Sequence, residues 1–187
     1  MTALFYADSA GLERDVFDRW LARISPFKAE RLQRIKWDDA KASMTGELLL
    51  RYGLWKTFGI APDTVKTAVN DLGKPYLISH PDLYFNVSHT GSRCICAVGD
   101  CPLGVDIEEV REIRHEKLAN RYFTAEELAS YYSLGGDENA FFTLWTRKEA
   151  FGKLTGRGLR PGAEENDGHI LFEKSFQNCK ICLVGKP

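Results

Sequence analysis

The stretch Phe141–Leu159, FFTLWTRKEAFGKLTGRGL, constrains the fold more than any other part of this chain. Phe141, Leu144, Trp145, Phe151 and Leu154 recur at three- and four-residue spacing, which predicts a helix with one stripe in a core. Lys148, Glu149 and Lys153 interrupt that apolar segment with charge. Glu149 and Lys153 stand one turn apart on one face, and Gly156 and Gly158 supply a stop just beyond. Such a pair reads equally well as an ordinary exposed contact, worth about 0.3 kcal/mol, and as part of a chemical site. The remaining sequence has to decide between them.

With 187 residues, 44% of them hydrophobic, the chain can bury a core as one domain or as two compact halves. A net charge of −1 gives no overall attraction for nucleic acid or for an anionic membrane, so any anion site must be built locally. No apolar run approaches about 18 residues, and the N-terminus lacks a basic stretch leading into a long apolar one. The expectation is a soluble, cytoplasmic protein. Its five cysteines are then reduced thiols. Cys94-x-Cys96 and Cys179-x-x-Cys182 could in principle hold zinc, but both pairs lie in strand-like apolar runs where cysteine acts as a small hydrophobe.

Along the chain, Leu4–Ala7 reads as a strand and Leu12–Ile24 as a helix, after which Ser25-Pro26 opens a second helix with serine as its cap. That helix carries Lys28 and Arg31 three apart on one face, either a solvated surface or a rim facing phosphate. A long helix from about Ala40 to Phe58, with Leu48, Leu49, Tyr52, Leu54 and Trp55 inside, reads as structural. Gly73-Lys74-Pro75 leads into a strand. In LYFNVSH, Asn86 and Ser88 share one side and Phe85 and Val87 the other, and Ser88 and His89 at the strand end suit an anion contact. VDIEEV alternates strictly, so Asp106 and Glu108 share one face. An edge strand with acidic outward residues has this pattern, and so does a magnesium site, which favours one or two carboxylates plus substrate phosphates. Thr124-x-x-Glu127 forms a capping box before a helix to Leu134. Residues 160–168 read as a loop, and His169–Phe172 and Lys180–Val184 as two last strands. There is no clear repeat, and the natural boundary falls at Cys101-Pro102, giving halves 1–101 and 102–187.

The order and spacing of SPFKAER, GKP, FNVSHTG, PLGVDIE, RYFTAEE and LWTRKEAFGKLTGRGL resemble the 4′-phosphopantetheinyl transferases, specifically the two-half type serving broad carrier-protein substrates. That resemblance implies an α+β fold of two similar halves related by a pseudo-two-fold, acting as a monomer with coenzyme A in the cleft between them. It implies Asp106, Glu108 and Glu149 as ligands of Mg2+, with Mn2+ an alternative. His89, Lys148 and Lys153 would meet the pyrophosphate, Lys28 and Arg31 the 3′-phosphate, and Lys74 and Ser88 their neighbourhood. Glu149 would also serve as base toward the serine of an apo acyl or peptidyl carrier protein, whose docking surface includes the helix starting at Thr124. Two rival readings are a non-catalytic coenzyme A or nucleotide-binding module and a magnesium-dependent phosphohydrolase.

Overall fold

The structure, a computed structural model, describes residues 1–161 and 168–186, so most of the loop expected at 160–168 lies outside the described residues. The first half runs β1 (Thr2–Asp8), α1 (Arg14–Leu21), α2 (Pro26–Arg34), α3 (Trp37–Phe58), a small hairpin of β2 (Thr67–Val69) and β3 (Pro75–Leu77), β4 (Tyr84–Thr90) and β5 (Arg93–Gly99). The second runs β6 (Leu103–Glu109), α4 (His115–Tyr122), α5 (Ala125–Ser133), α6 (Glu138–Thr155), β7 (His169–Phe176) and β8 (Cys179–Gly185).

The two halves repeat one topology that the sequence conceals. Each opens with a strand, continues with three helices, and ends in a hairpin whose last strand takes the centre of a three-stranded antiparallel sheet, in the orders β1-β5-β4 and β6-β8-β7. The registers superimpose as well. Thr2 opposes Gly99 in one sheet, as Leu103 opposes Gly185 in the other. Period-two alternation sorts the central strands into layers. Cys94, Cys96 and Val98 face α3, with Leu50 and Leu54, while Ile95 and Ala97 meet Val105, Ile107 and Ile181 between the sheets. Ala150 and Leu154 of α6 cover Cys182 and Val184 on the far side. The molecule is therefore layered as helix, sheet, sheet, helix. All five cysteines are free, and the two pairs weighed for zinc are spread over different layers.

Local signals explain most element ends. The Ser25 hydroxyl accepts from Lys28 N, Thr124 and Glu127 complete the capping box, and Asp137 caps α6. Gly59 and Gly156 close α3 and α6 in the left-handed conformation. The expected α3 differs in one respect: Tyr52 and Trp55 are 46% and 47% exposed, with the Lys56 ammonium over both rings. The buried stripe instead runs through Met44, Glu47, Leu50, Arg51 and Leu54. The helix face is turned by a close approach to β1 at Gly53, where a Cβ would come within 2.9 Å of the Phe5 ring.

In the second half β6 lies hard against α6. A Cβ at Gly104 would sit 2.0 Å from Ala150 O and 2.5 Å from Leu154 N, both backbone atoms that cannot yield. Gly104→Ala is expected to destabilise the fold by about 3 kcal/mol, the upper part of the usual range for overpacking. A urea midpoint within error of the parent protein would show that strand and helix can separate freely.

Candidate active site

The close contact at Gly104 brings the chemistry of β6 and α6 together. Asp106, two residues on and on the same strand face, is only 2% exposed, so the solvated edge strand is not what this sequence builds. Lys153 Nζ donates to Asp106 Oδ1 at 2.6 Å and to Ser88 Oγ at 2.7 Å, and the Ser88 hydroxyl donates to the same Oδ1 at 2.7 Å. Three elements, β4, β6 and α6, thus converge on one carboxylate. Asn86, on the same side of β4 as Ser88, accepts from Val105 N at 2.9 Å and fastens β4 to β6 across the two halves. Lys153 is therefore not the partner of a plain surface pair.

Glu108 follows on the same face of β6. Burial pushes its carboxyl above the usual range, the neighbouring Asp106 charge adds to this, and Arg111, 3.2 Å away, and Lys153 pull it back. Glu149 stands one turn before Lys153 on α6. One turn of helix rises about 5.4 Å and two strand residues span about 6.6 Å, so the steps Lys153 to Glu149 and Asp106 to Glu108 are closely matched along the two elements. Arg111 lies over the Phe142 ring, so β6 travels from the C-terminal end of α6 toward its N-terminal end, and the steps run the same way.

A divalent cation suits part of this arrangement. Asp106 Oδ2 is buried without a hydrogen-bond partner, and Glu108 is pushed toward protonation by burial and by its acidic neighbour. Both conditions are relieved by a hard cation bound through oxygen. Among the described residues, however, no three His, Cys, Asp or Glu side chains are gathered into a ready cluster, and Lys153 already occupies Asp106 Oδ1.

Two adjoining cavities border this knot and share Gly73, Pro75 and Val87 in their walls. The larger, about 510 Å³, is lined by Lys28, Arg31, Ser43, Glu47, the β2 segment Thr67–Val69 and His89. That volume falls in the range of small-molecule sites. The smaller, about 280 Å³, holds Lys74, Asn86, Lys153 and the glycines Gly152, Gly156 and Gly158. His89 is held below its usual pKa by burial and by the nearby Lys153 ammonium, which favours the neutral imidazole.

Lys148, expected at the pyrophosphate, sits beside Glu149 on α6 and reaches the neighbouring helix α5. Its side chain is fully buried and donates to Glu127 Oε1 and Oε2 at 3.1 and 2.9 Å, bracing α6 against the capping box of α5. Glu47 and Arg51 do not stand out in the sequence, where α3 reads as structural, yet α3 contributes Ser43 and Glu47 to the larger cavity. The available signal was two opposite charges at i,i+4 within the apolar stripe of a core helix.

Lys74 bridges the halves. From the β2–β3 turn its ammonium donates to Leu154 O at 2.7 Å and Leu103 O at 3.1 Å, capping the C-terminal end of α6. Burial lowers its pKa from 10.5 to about 8. Between these values the unfolded chain holds more protons than the folded one, so this group's contribution makes stability rise with pH across that window. Urea midpoints measured from pH 8 to 10.5 should therefore rise less in Lys74→Met than in the parent. Identical pH slopes in the two proteins would count against the burial of this ammonium.

Residues 102–183 match the 4'-phosphopantetheinyl transferase superfamily, and residues 13–100 match the 4'-phosphopantetheinyl transferase N-terminal family. A 4'-phosphopantetheinyl transferase of Bacillus subtilis is 33% identical over 174 residues, covering 88% of this chain and 75% of the relative. The 4'-phosphopantetheinyl transferase Sfp of Bacillus subtilis strain 168 is 32% identical, covering 79% and 67%. The 4'-phosphopantetheinyl transferase HetI of Nostoc is 33% identical, covering 74% and 62%. With matches to both halves, a repeated α+β topology and a shared cleft, the chain belongs to the 4′-phosphopantetheinyl transferase superfamily, in its two-half, Sfp-like branch.

Proposed function

We propose that this protein is an enzyme that transfers the 4′-phosphopantetheine group of coenzyme A to a serine of an apo acyl or peptidyl carrier protein and releases adenosine 3′,5′-bisphosphate. The observation that carries the reading is the Lys153–Asp106–Ser88 contact, placed where a nucleotide-sized cavity with Lys28 and Arg31 adjoins a smaller one with Lys74 and Lys153. This puts cations in the walls of both adjoining cavities, the charge that a nucleotide pyrophosphate asks for. The family matches to 13–100 and 102–183 support a boundary at Cys101-Pro102, with nucleotide contacts in the first half and the acidic site in the second.

In this reading the serine Oγ attacks the phosphorus that bears pantetheine, the pyrophosphate P–O bond on its far side breaks, and the serine proton passes to the Glu149 carboxylate. Asp106, Glu108 and Glu149 would hold Mg2+ or Mn2+, which would supply charge neutralisation at the pyrophosphate. Lys153 and His89 hold the pyrophosphate oxygens, Lys28 and Arg31 the 3′-phosphate, and Ser88 keeps Asp106 oriented. Phosphoryl transfer asks mainly for alignment and charge, and these groups provide both. Lys148, next to Glu149, adds positive charge for the pyrophosphate, and its bond to Glu127 fixes α6 against α5. One chain furnishes both walls of the cleft, which favours a monomer. Free thiols favour the cytoplasm. No helix among the described residues is long and apolar enough to cross a membrane, and the near-neutral charge offers nucleic acid nothing.

Intact-mass measurement of a panel of apo carriers, incubated with the protein, coenzyme A and Mg2+, tests this directly. One phosphopantetheine per carrier is expected, and Asp106→Asn, Glu149→Gln and Lys153→Met should each slow transfer by about 100-fold or more, the scale for losing a charged transition-state contact. Stabilisation by coenzyme A without any transfer would favour the binding module. Consumption of coenzyme A without a carrier would favour the phosphohydrolase.

A further inference from the structure

The larger cavity has a feature that an anion site would not be expected to contain: a buried carboxylate in its wall. Glu47 is 3% exposed. Its Oε2 accepts from Lys28 Nζ at 2.8 Å and its Oε1 from Arg51 Nε at 2.9 Å, while Arg51, equally buried, also donates to Pro62 O. Left alone, such a carboxylate would repel a phosphate. Arg51 cancels its charge from behind, so Lys28, Glu47 and Arg51 together keep one positive charge, and it sits on the cavity side. Burial pushes Glu47 toward protonation, but Lys28 and Arg51 outweigh it and hold the carboxyl below its usual range, so it stays ionised.

We propose that Glu47, braced by Arg51, is a positioning residue that sets the nucleotide specificity of the cleft. It holds Lys28 in place for a 3′-phosphate and so favours coenzyme A over 3′-dephospho-coenzyme A. An ammonium has three donors, and one spent on Glu47 leaves two for the ligand at a fixed point. The rotamer freedom that a loose lysine would lose on binding is already gone. The inference rests on the proposed assignment of Lys28 to the 3′-phosphate.

Positioning and simple electrostatics predict opposite signs, which makes the idea testable. Removing a negative charge beside an anion should tighten binding. Losing the brace should weaken it. By calorimetry, Glu47→Gln is expected to bind coenzyme A about tenfold more weakly, the loss of roughly one charge-assisted hydrogen bond, with affinity for 3′-dephospho-coenzyme A little changed. In carrier modification the effect should fall on KM rather than kcat. Should Glu47→Gln unfold, Glu47→Met/Arg51→Met replaces the buried pair with apolar groups of similar size, a change that commonly preserves the fold, and it leaves Lys28 unbraced. Tighter or unchanged coenzyme A binding in the folded variant overturns the proposal. If the parent protein binds the two nucleotides equally, the 3′-phosphate assignment fails and the proposal with it. Failure of the transferase reading is distinguished by the mass of the carrier, which this binding measurement does not use.

Discussion

A carboxylate buried in protein is costly unless it is paired and hydrogen-bonded, and Asp106 is the group around which this molecule meets that cost. Its Oδ1 is satisfied by a lysine from α6 and a serine from β4, so the second half can dock on the first only in the register that brings all three together. The glycine two residues earlier makes the approach of strand to helix close enough for a lysine from one turn to reach that oxygen. The smaller cavity lies on that seam, between Lys74 and Asn86 of the first half and Lys153 of the second, and opens beside the larger one, which the first half lines. Lys74, spanning from the first half to the backbone of β6 and α6, closes the seam from the other side.

The internal repeat explains why a molecule built from two similar halves has one site instead of two. Aligning the sheets by their terminal pairs, Thr2 with Gly99 and Leu103 with Gly185, sets Phe5 where the second half has Asp106. In the second half the glycine that allows close packing lies on the strand, at Gly104, and space is left beside it for a carboxylate and a lysine. In the first half it lies on the helix, at Gly53, and the Phe5 ring fills the corresponding volume, meeting Tyr52 edge-on. The opposite seam is correspondingly aromatic: Tyr6 packs edge-on against Phe176 and donates to Gln177. A shift of one small residue from strand to helix thus turns a polar junction into an apolar one.

Two buried ion pairs mark the limits of reading charge from sequence. Lys148 and Glu47 both belong to helices whose spacing is plain, yet nothing in that spacing gives their partners. In the structure Lys148 braces α5 through Glu127, and Glu47 borders the larger cavity. The separation in sequence between partners is the reason: 21 residues for Lys148 and Glu127, 19 for Lys28 and Glu47. Nothing local distinguishes a buried lysine facing a neighbouring helix from one facing a cleft.

What the sequence determined by itself was everything governed by backbone period and termini. The stripe of α6 and its glycine stop, the serine cap of α2, the capping box of α5, the alternation of Asp106 and Glu108 against Val105 and Ile107, and the sharing of one side of β4 by Asn86 and Ser88 all follow from backbone period and end chemistry. The motif order also carried the family. The tertiary structure decided which charges meet: that Lys153 reaches Asp106 across 47 residues, that Tyr52 and Trp55 face outward, and that the halves share a topology with different side chains. Periodicity fixes the face on which a residue lies. What that face touches depends on how distant segments dock, and docking is set by shape at points such as Gly53 and Gly104.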